Sequence, residues 1–298
     1  MGQKDTGEAM KRIGIFANVT REDMGHHVER LSGLLKARGV EVVLHEDLRP
    51  VCAGLDPFMS GSELTNQSEL VVAMGGDGTL LRTAALTRGT DTPILGVNLG
   101  RLGFLAGAAP DTLDRSLDRL LTGSYEIEER LALEASVGDC GAFCLNEFVI
   151  ERGTLARIIQ LTSRIDGELV SGFWGNGLIV STPTGSTSYS LSGGGPVLHP
   201  SLEAVVITPL CPHSLSQRPI VVPARQTIEI EVFAEHQDII LTADGQTVTT
   251  LEPNDRVTIR ATSHPVRLVN LEGLSFYELL RTKLDWSLAD PAAADADA

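Results

Sequence analysis

A glycine-rich turn is encoded by Met74-Gly75-Gly76-Asp77-Gly78-Thr79, in which one carboxylate stands among three glycines. The apolar run from Leu70 to Met74 predicts a buried strand before the turn, and the residues from Leu80 onward predict a helix after it. Because glycine has no Cβ, such a turn lets backbone N–H groups approach a ligand closely. The N-terminus of the predicted helix favours a phosphate at the same place.

Asp77 is the unexpected residue in this turn, because a carboxylate repels phosphates unless a metal ion or a reacting hydroxyl lies between them. We therefore predict phosphoryl transfer, with Asp77 as a general base or a metal anchor. The turn is not a dinucleotide fingerprint, since Leu81 stands three residues after Gly78, and the chain has no Walker Gly-Lys-Ser/Thr triplet. Taken alone, the turn leaves a plain strand-to-helix connection open as the alternative.

The chain around this turn divides into two kinds of pattern. Strand and helix patterns alternate up to Tyr125, which predicts an α/β domain at residues 1–125 with a doubly wound, Rossmann-like parallel sheet. Ligands bind at the carboxyl ends of the strands in such a sheet. Short β-rich runs follow, and the pairs Asp166-Gly167 and Asp244-Gly245 lie between them as hairpin turns. They predict an antiparallel, all-β C-terminal domain at residues 126–270.

The C-terminal end is predicted to contain one more helix and a tail. Residues 271–288 include a helical pattern from Ser275 to Leu284, which we expect to return to the first domain. Residues 289–298 consist of Ala, Asp and one Pro, so they have nothing to bury and are predicted to be a disordered acidic tail.

Composition limits the classes of partner. The chain has 298 residues and a net charge of −15, which disfavours nonspecific binding to nucleic acid or to an anionic membrane. No apolar run is long enough to span a bilayer, and residues 1–10 lack the apolar core of a signal peptide. The four cysteines are scattered, as in a protein of a reducing compartment. A cytoplasmic protein without nucleic-acid or membrane partners is therefore predicted.

A second stretch rich in polar chemistry runs from Ser181 to Ser192 and is followed by Gly-Gly-Gly-Pro. Nine of these twelve residues carry a hydroxyl. Hydroxyls and free backbone N–H groups suit ribose and phosphate oxygens, and Tyr189 adds a flat face for a base. A flexible linker is the alternative, but the flanking strand patterns and the closing Gly-Gly-Gly-Pro argue against it. The stretch therefore predicts nucleotide binding.

Several motifs in order along the chain resemble those of the NAD kinase family. They are Gly75-Gly76-Asp77-Gly78-Thr79, Asn98 to Leu105, Leu145-Asn146-Glu147, Ser181 to Pro196, Asp244-Gly245-Gln246 and Leu280 to Trp286. The resemblance covers roughly residues 12–287. It implies phosphorylation of the 2′-hydroxyl of the adenosine ribose of NAD, which gives NADP.

The resemblance also implies roles for individual residues. Asp77 would act on the 2′-hydroxyl, most simply as general base, and residues 126–270 would form an NAD-binding domain. Mg²⁺ would be the cofactor, carried by the phosphoryl donor and assigned to no residue as metal ligand. The residues implied in binding nucleotide or phosphate are Gly75, Gly76, Gly78, Thr79, Arg82, Asn146, Glu147, Arg157, Thr187, Ser188, Tyr189, Ser190, Leu191, Ser192 and Gln246.

Two positions depart from the family's pattern, and both are also candidates for the nucleotide site. Asn176 stands where the family usually has Asp, and Trp174 stands where many members have Arg. For Trp174, a place in the core or in a subunit interface is the alternative to stacking on the ligand. The choice between NAD and NADH stays open at these positions.

Other properties stay open at this level. The donor implied by the resemblance is ATP or inorganic polyphosphate, and the assembly implied is a homodimer or homotetramer. One alternative function is a lipid kinase of the diacylglycerol type, which accounts for residues 74–79 but not for Asn146-Glu147 or the 181–196 stretch. The other is a non-catalytic NAD-binding sensor, which gains nothing from a carboxylate facing phosphates.

Overall fold

The structure is a computed structural model that describes residues 10–100, 103–105, 107–153, 158–234, 239–271, 273 and 275–286. Its α-helices, numbered along these residues, are α1 (Met24–Ala37), α2 (Gly61–Gln67), α3 (Asp77–Leu86), α4 (Leu113–Leu121), α5 (Tyr189–Ser192) and α6 (Phe276–Leu284). Its strands are β1 (Arg12–Ala17), β2 (Glu41–His45), β3 (Phe58–Met59), β4 (Leu70–Gly75), β5 (Ile94–Asn98), β6 (Glu126–Arg130), β7 (Leu133–Val137), β8 (Cys140–Cys144), β9 (Glu147–Arg152), β10 (Ile159–Ile165), β11 (Glu168–Gly175), β12 (Gly177–Ser181), β13 (Ala204–Leu210), β14 (Ile220–Pro223), β15 (Ile228–Phe233), β16 (Ile239–Ala243), β17 (Gln246–Leu251), β18 (Arg256–Ala261) and β19 (Val266–Asn270).

The first sheet has seven strands in the order β3-β2-β1-β4-β5-β19-β6, all parallel to their neighbours except β6. Successive side chains of a strand point to opposite faces. Ile15 packs on one face in the same core as α1 and α4, whereas Phe16 packs on the other face with Leu64 of α2. Leu80 of α3 packs with Ala73 of β4 in a further cluster. Helices therefore cover both faces, and the predicted doubly wound sheet is confirmed.

The order of strands reverses between β1 and β4, which makes their carboxyl ends the switch point of the sheet. Asn18, directly after β1, donates its backbone N–H to the carbonyl of Met74 at 3.1 Å. Ligands bind in the crevice at such a switch point, because the connections leave it in opposite directions. The turn from Gly75 to Thr79 lies at this crevice.

The β-rich part consists of two six-stranded antiparallel sheets, in the orders β11-β10-β15-β18-β7-β8 and β14-β13-β12-β9-β16-β17. Their inner faces share one apolar core, in which Phe148 and Leu178 of one sheet lie with Leu161 and Ile230 of the other. The two predicted hairpin turns are confirmed. Asp166-Gly167 has φ angles of 50° and 84°, and Asp244-Gly245 has 48° and 76°. Positive φ at both central residues is typical of two-residue hairpins.

The first sheet extends beyond the domain boundary that the sequence predicts after residue 125. β6 and β19, both inside the predicted β-rich segment 126–270, pair with each other and close the edge of the first sheet. The short β-rich runs begin near Tyr125 because β6, the last strand before the β-rich part, already pairs antiparallel with β19 in the first sheet. A further helix of the α/β part, for which the sequence analysis gives no prediction, is α2.

The C-terminal helix is present at Phe276–Leu284, close to its predicted bounds. Leu271, just before it, is buried in the core of the first sheet. The rings of Phe276 and Tyr277 lie 5.1 Å and 5.8 Å from the ring of His199 in the β-rich part. The predicted acidic tail, residues 289–298, lies outside the described residues. No helix in the described part of the chain is long and apolar enough to cross a membrane.

Candidate active site

The turn between β4 and α3 has the shape that the sequence predicts. Gly75 has φ 156°, and a Cβ at this position would lie 2.3 Å from the hydroxyl oxygen of Thr79. The N–H groups of Thr79 and Leu80 both bond to the carbonyl of Gly76, at 2.9 Å and 3.3 Å. The helix thus begins at Asp77, and its positive end faces the crevice at the switch point.

Asp77 is held by the segment that follows β5. Its Oδ2 accepts the backbone N–H of Phe104 at 3.0 Å. Its Oδ1 is buried and has no hydrogen-bond partner within the described residues. Gly103 packs directly against it, since a Cβ at Gly103 would lie 1.8 Å from Oδ1. One carboxylate oxygen is therefore fixed by the N–H of Phe104, and the other keeps a capacity to accept hydrogen bonds that none of the described residues uses.

Arg82 lies one turn further along α3. Its guanidinium carbon is 5.3 Å from the centroid of the Phe16 ring, a cation–π distance that restrains the exposed side chain. In a chain of net charge −15, an anionic ligand depends on local positive groups. Arg82 and the N-terminus of α3 supply them beside Asp77.

A second polar cluster is built around Asn146 and Glu147, where β9 begins. The carboxylate of Asp244 accepts the N–H groups of Leu145 and Asn146, both at 2.8 Å, and that of Glu147 at 3.2 Å. Thr182 bonds to the same segment, donating its hydroxyl to the carbonyl of Leu145 at 2.6 Å. The backbone of the Asn-Glu pair is thus fixed by two other segments of the chain.

The carboxyl group of Glu147 is buried, with 5% of the residue exposed. Its Oε1 accepts the hydroxyl of Ser188 at 3.3 Å, while Oε2 is buried without a partner in the described part of the chain. Burial, and then the nearby charge of Asp244, raise the pKa of Glu147 from 4.5 to about 7. The pKa of Asp244 is also raised by burial, against the lowering effect of its three backbone donors. Glu147 therefore exchanges its proton near neutral pH.

A cavity of about 690 Å³ lies between α3, the edge strand β8 and the hairpin of β16 and β17. It brings Gly76, Gly78, Thr79 and Arg82 together with Gln246, all of which the sequence singles out. Its lining also includes residues that the sequence reading missed: Asn18, Leu81, Ala85, Cys140, Gly141, Ala142, Phe143, Ala243, Asp244, Thr247 and Val248. The position of Asn18 could have been predicted, because it directly follows the first strand and the carboxyl ends of parallel strands lie at the same edge of a sheet.

Comparison of the whole sequence with protein families and with related proteins identifies the family to which this site belongs. Residues 60–125 match the ATP-NAD kinase N-terminal domain, and residues 145–271 match the ATP-NAD kinase C-terminal domain. An NAD kinase of Syntrophotalea carbinolica is 40% identical over 282 residues, which are 93% of this chain and 99% of that protein. The chain belongs to the NAD kinase family. An NAD kinase of Geobacter sp. strain M21 is 43% identical over 285 residues, with the same coverage.

Solved structures of this family have the same fold. The yeast NADH kinase complexed with NADH superposes with a TM-score of 0.86 at 23% identity, covering 95% of this chain and 90% of that one. An NAD kinase from Archaeoglobus fulgidus in complex with ATP superposes with a TM-score of 0.74 at 29% identity, covering 92% and 98%. The α/β sheet and the β-rich part described above are therefore the two-part fold of NAD kinases.

The serine- and threonine-rich stretch from Ser181 to Ser192 contains both buried side chains, which shape the loop, and exposed side chains. Ser190 is fully buried, and its hydroxyl pairs with that of Thr208 at 3.0 Å. Ser186 is likewise buried and donates to the carbonyl of Pro183 at 2.6 Å. Tyr189, by contrast, is 42% exposed. Thr187, Ser188 and Leu191 are half-buried, and Ser192 is exposed. Most of the buried hydroxyls shape the loop, and the half-buried and exposed positions remain for a ligand.

The two positions that depart from the family's pattern lie where β11 ends, next to the start of β12. Asn176 accepts the Nε–H of Arg152 through its side-chain oxygen at 3.0 Å. Trp174, in the edge strand β11, is 39% exposed and is not among the residues that line the cavity. Arg157, a further candidate from the sequence, lies outside the described residues. The structure thus groups most of the candidates in two clusters, whereas Trp174 and Asn176 lie at the connection between β11 and β12.

Proposed function

We propose that this chain is an NAD kinase, which transfers a phosphoryl group to the 2′-hydroxyl of the adenosine ribose of NAD and gives NADP. The observation that carries this proposal is Oδ1 of Asp77, which lies beside the positive end of α3 and is buried without a hydrogen-bond partner among the described residues. A pure binding site for phosphates gains nothing from a carboxylate in this place. A phosphotransferase uses one to accept the proton of the attacking hydroxyl.

In this mechanism, Oδ1 of Asp77 accepts the proton of the 2′-hydroxyl as the oxygen attacks the terminal phosphorus of the donor. A bond forms between the ribose oxygen and phosphorus, and the bond from phosphorus to the bridging oxygen breaks. The electron pair of the broken bond stays with the leaving phosphate. Phe104 and Gly103 hold the carboxylate, so its free oxygen is oriented before the substrate binds.

The donor phosphates are placed at the N-terminus of α3. Gly75, Gly76, Gly78 and Thr79 offer a close approach of the backbone, and Arg82 supplies the positive charge. Because transfer of a phosphoryl group leaves negative charge on the leaving phosphate, these groups stabilise the transition state more than the ground state.

Mg²⁺ is proposed as the cofactor that accompanies the donor. In the described residues there is no cluster of three His, Cys, Asp or Glu side chains suited to hold a metal alone. Mg²⁺ usually keeps several waters and binds through one carboxylate and substrate phosphates, so the donor oxygens with the free oxygen of Asp77 nearby fit it. When bound, it would neutralise charge on the donor phosphates.

NAD is proposed to bind at the second cluster. Asn146 and Glu147 offer donors and acceptors that match an adenine edge and a ribose diol. Exposed Tyr189 and half-buried Ser188 lie next to them. Further contacts proposed from the family resemblance are Thr187, Leu191, Ser192, Gln246, Trp174, Asn176 and Arg157.

The finer properties of the protein remain proposals. The archaeal relative solved with ATP supports ATP as the donor, with inorganic polyphosphate as the alternative. We also propose a cytoplasmic homodimer or homotetramer, an α/β domain that includes β6 and β19 of the first sheet, a β-rich domain between these two strands, and the packing of 271–288 back on the first domain. The matched boundaries at residues 125 and 271 lie next to these two strands.

The function is tested by measuring NADP formation from NAD and Mg²⁺ with ATP, with polyphosphate and without a donor. We expect donor-dependent NADP, and the active donor identifies the phosphoryl source. NAD binding without turnover under any donor would instead favour the non-catalytic sensor. Binding to lipid vesicles with phosphorylation of diacylglycerol would favour the lipid kinase.

A further inference from the structure

Asp244 connects two chain segments that are about a hundred residues apart. Its Oδ2 accepts the N–H of Leu145, and its Oδ1 accepts those of Asn146 and Glu147. Its own backbone N–H donates to the carbonyl of Glu147 at 3.0 Å. One residue of a hairpin turn thus satisfies the backbone of three successive residues where β9 begins.

The hairpin turn itself does not require these bonds. Asp166 occupies the same position in the turn between β10 and β11, with φ 50° against 48° for Asp244. Its carboxylate accepts the backbone N–H of Thr227 at 2.9 Å. Asp and Asn are both suited to this conformation, because their short side chains tolerate positive φ. The carboxylate of Asp244 differs because it accepts three successive N–H groups of another segment, so it serves something beyond the turn.

The same segment is held from its other side. The carbonyl of Leu145 accepts the hydroxyl of Thr182, and that of Asn146 accepts the N–H of Thr182 at 2.9 Å. Gly185 packs against it so closely that a Cβ there would lie 2.3 Å from the carbonyl oxygen of Asn146. With its N–H and carbonyl groups both fixed, the backbone of Asn146 and Glu147 has one orientation.

We propose that Asp244 is a positioning residue for NAD, which fixes the direction in which Asn146 and Glu147 present their side chains to the nucleotide. This inference rests on the proposed function, since it takes NAD as the ligand of these two side chains. The three N–H groups are bound by a single carboxyl group, and bonds from backbone N–H groups to a carboxylate are among the strong ones. A loose segment would have to be ordered when NAD binds, which weakens the affinity.

Asp244 has a second effect on Glu147, which gives the proposal an independent readout. The groups that face Glu147 are the carboxylate of Asp244, the thiol of Cys144, the hydroxyl of Ser188 and the backbone N–H of Tyr189. The pKa of the Cys144 thiol is raised by burial, so this thiol is neutral. Removing the charge at position 244 is therefore expected to lower the pKa of Glu147, whereas a merely mechanical change of the turn leaves it in place.

The test compares Asp244→Asn with the matched control Asp166→Asn, using calorimetric titration of NAD without a donor at pH 6, 7 and 8. Asn keeps the size and the turn conformation but cannot accept three N–H bonds. At pH 8 we expect Asp244→Asn to bind NAD roughly tenfold more weakly. The midpoint of its pH dependence should move below that of the wild type. Asp166→Asn should match the wild type.

Equal affinity of Asp244→Asn and the wild type, or equal losses in both variants, would overturn the proposal. If Asp244→Asn does not fold, Thr182→Val releases the same segment from its other side. It should weaken NAD binding severalfold, with recovery in Thr182→Ser; no loss in Thr182→Val would count against the proposal. Turnover of the wild type is measured in parallel, so that a wild type that binds NAD but forms no NADP refutes the proposed function and not the role of Asp244.

Discussion

The two carboxylates at the candidate site, Asp77 and Glu147, are held in opposite surroundings. Asp77 is half-buried at the start of α3, where the positive end of the helix favours negative charge, and its Oδ2 bonds to the backbone of Phe104. Glu147 is almost fully buried in a strand, and a second carboxylate, Asp244, lies nearby. The first site stabilises an anion, and the second disfavours one.

This difference indicates a division of work. A carboxylate with one oxygen that no described residue bonds to can take a proton from a hydroxyl, so Asp77 belongs to the chemical step. Burial of the Glu147 carboxyl group lowers the stability of the fold, and its Oε2 has no hydrogen-bond partner among the described residues. A bound ligand would supply that hydrogen bond, so Glu147 is assigned to recognition of the ligand. Losses at Asp77 should therefore reduce kcat, and losses at Glu147 should weaken NAD binding.

The largest effect is expected for Asp77→Asn, which keeps the shape of the side chain and removes the base. We expect kcat to fall by about 10³-fold or more, with an unchanged unfolding midpoint. Steady-state kinetics and thermal unfolding check this. Asp114→Asn is the control, since Asp114 is also a first-turn carboxylate, paired with Arg38 at 2.9 Å. Near-normal turnover of Asp77→Asn would contradict its role as base.

A smaller loss is expected for Gly103→Ala, which leaves Asp77 in place but pushes its carboxylate aside. The added methyl group would lie 1.8 Å from Oδ1, so the side chain must rotate. Misplacement of a catalytic group of this kind is expected to lower kcat by roughly 10². Gly33→Ala in α1 is the control, because a Cβ there meets nothing within 4 Å. Equal kcat values for the two variants would show that the position of the carboxylate does not matter.

Glu147→Gln should separate stability from binding. Because the pKa of Glu147 is raised to about 7, the folded protein binds this proton more readily than the unfolded chain does. The wild type therefore loses stability as pH rises from 4.5 to about 7, and the full cost is present above that range. Glu147→Gln removes the cost, which is about 1–3 kcal/mol at pH 8. The variant should thus unfold at a higher denaturant concentration than the wild type at pH 8, and the two midpoints should be equal at pH 4.5.

The same variant should bind NAD about tenfold more weakly at pH 8, because it replaces an ionised acceptor by a neutral amide. Denaturant unfolding and calorimetry on one sample measure both effects. Glu134→Gln, at an exposed glutamate of β7, is the control and should change neither. A destabilised Glu147→Gln at pH 8 would contradict the view that this carboxyl group is costly.

The smallest effects are expected in the serine-rich loop, where one substitution should change stability and another should change NAD binding. Ser190→Ala leaves the buried hydroxyl of Thr208 without its partner, which is expected to cost about 1 kcal/mol of stability while NAD affinity stays the same. Ser188→Ala should do the reverse, with unchanged stability and NAD binding weakened a few-fold, since Ser188 donates to Glu147. Loss of NAD affinity in Ser190→Ala would contradict this assignment and would show that Ser190 contacts the ligand.

Local patterns in the sequence predict most of the fold and part of the site. The run from Leu70 to Met74 and the glycines after it predict β4 and the start of α3, because both depend on neighbouring residues. The places of β6 and β19 could not be predicted, since pairing between residues 126–130 and 266–270 is a long-range property of the sheet. The capping pair Ser60 and Glu63, joined at 3.0 Å, was a signal for α2 that the sequence reading passed over.

The same distinction applies to the site. Asp77 and Asn146-Glu147 can be found as motifs, since their chemistry is visible in the residue types. The second function of Asp244 could not, because a turn of Asp and Gly has the same sequence at 166 and at 244. Both carboxylates bond to another segment, and only the fold shows that the carboxylate of Asp244 reaches the backbone of Asn146 and Glu147. Likewise, nine hydroxyl-bearing residues among twelve do not reveal that Ser190 is buried against Thr208.

The division of work between the two carboxylates is tested most directly by titrating NAD into Asp77→Asn and Glu147→Gln side by side at pH 8. We expect the dissociation constant of Asp77→Asn to stay within about threefold of the wild type and that of Glu147→Gln to rise about tenfold. Equal losses in the two variants, or a loss confined to Asp77→Asn, would contradict the assignment of chemistry to one carboxylate and recognition to the other.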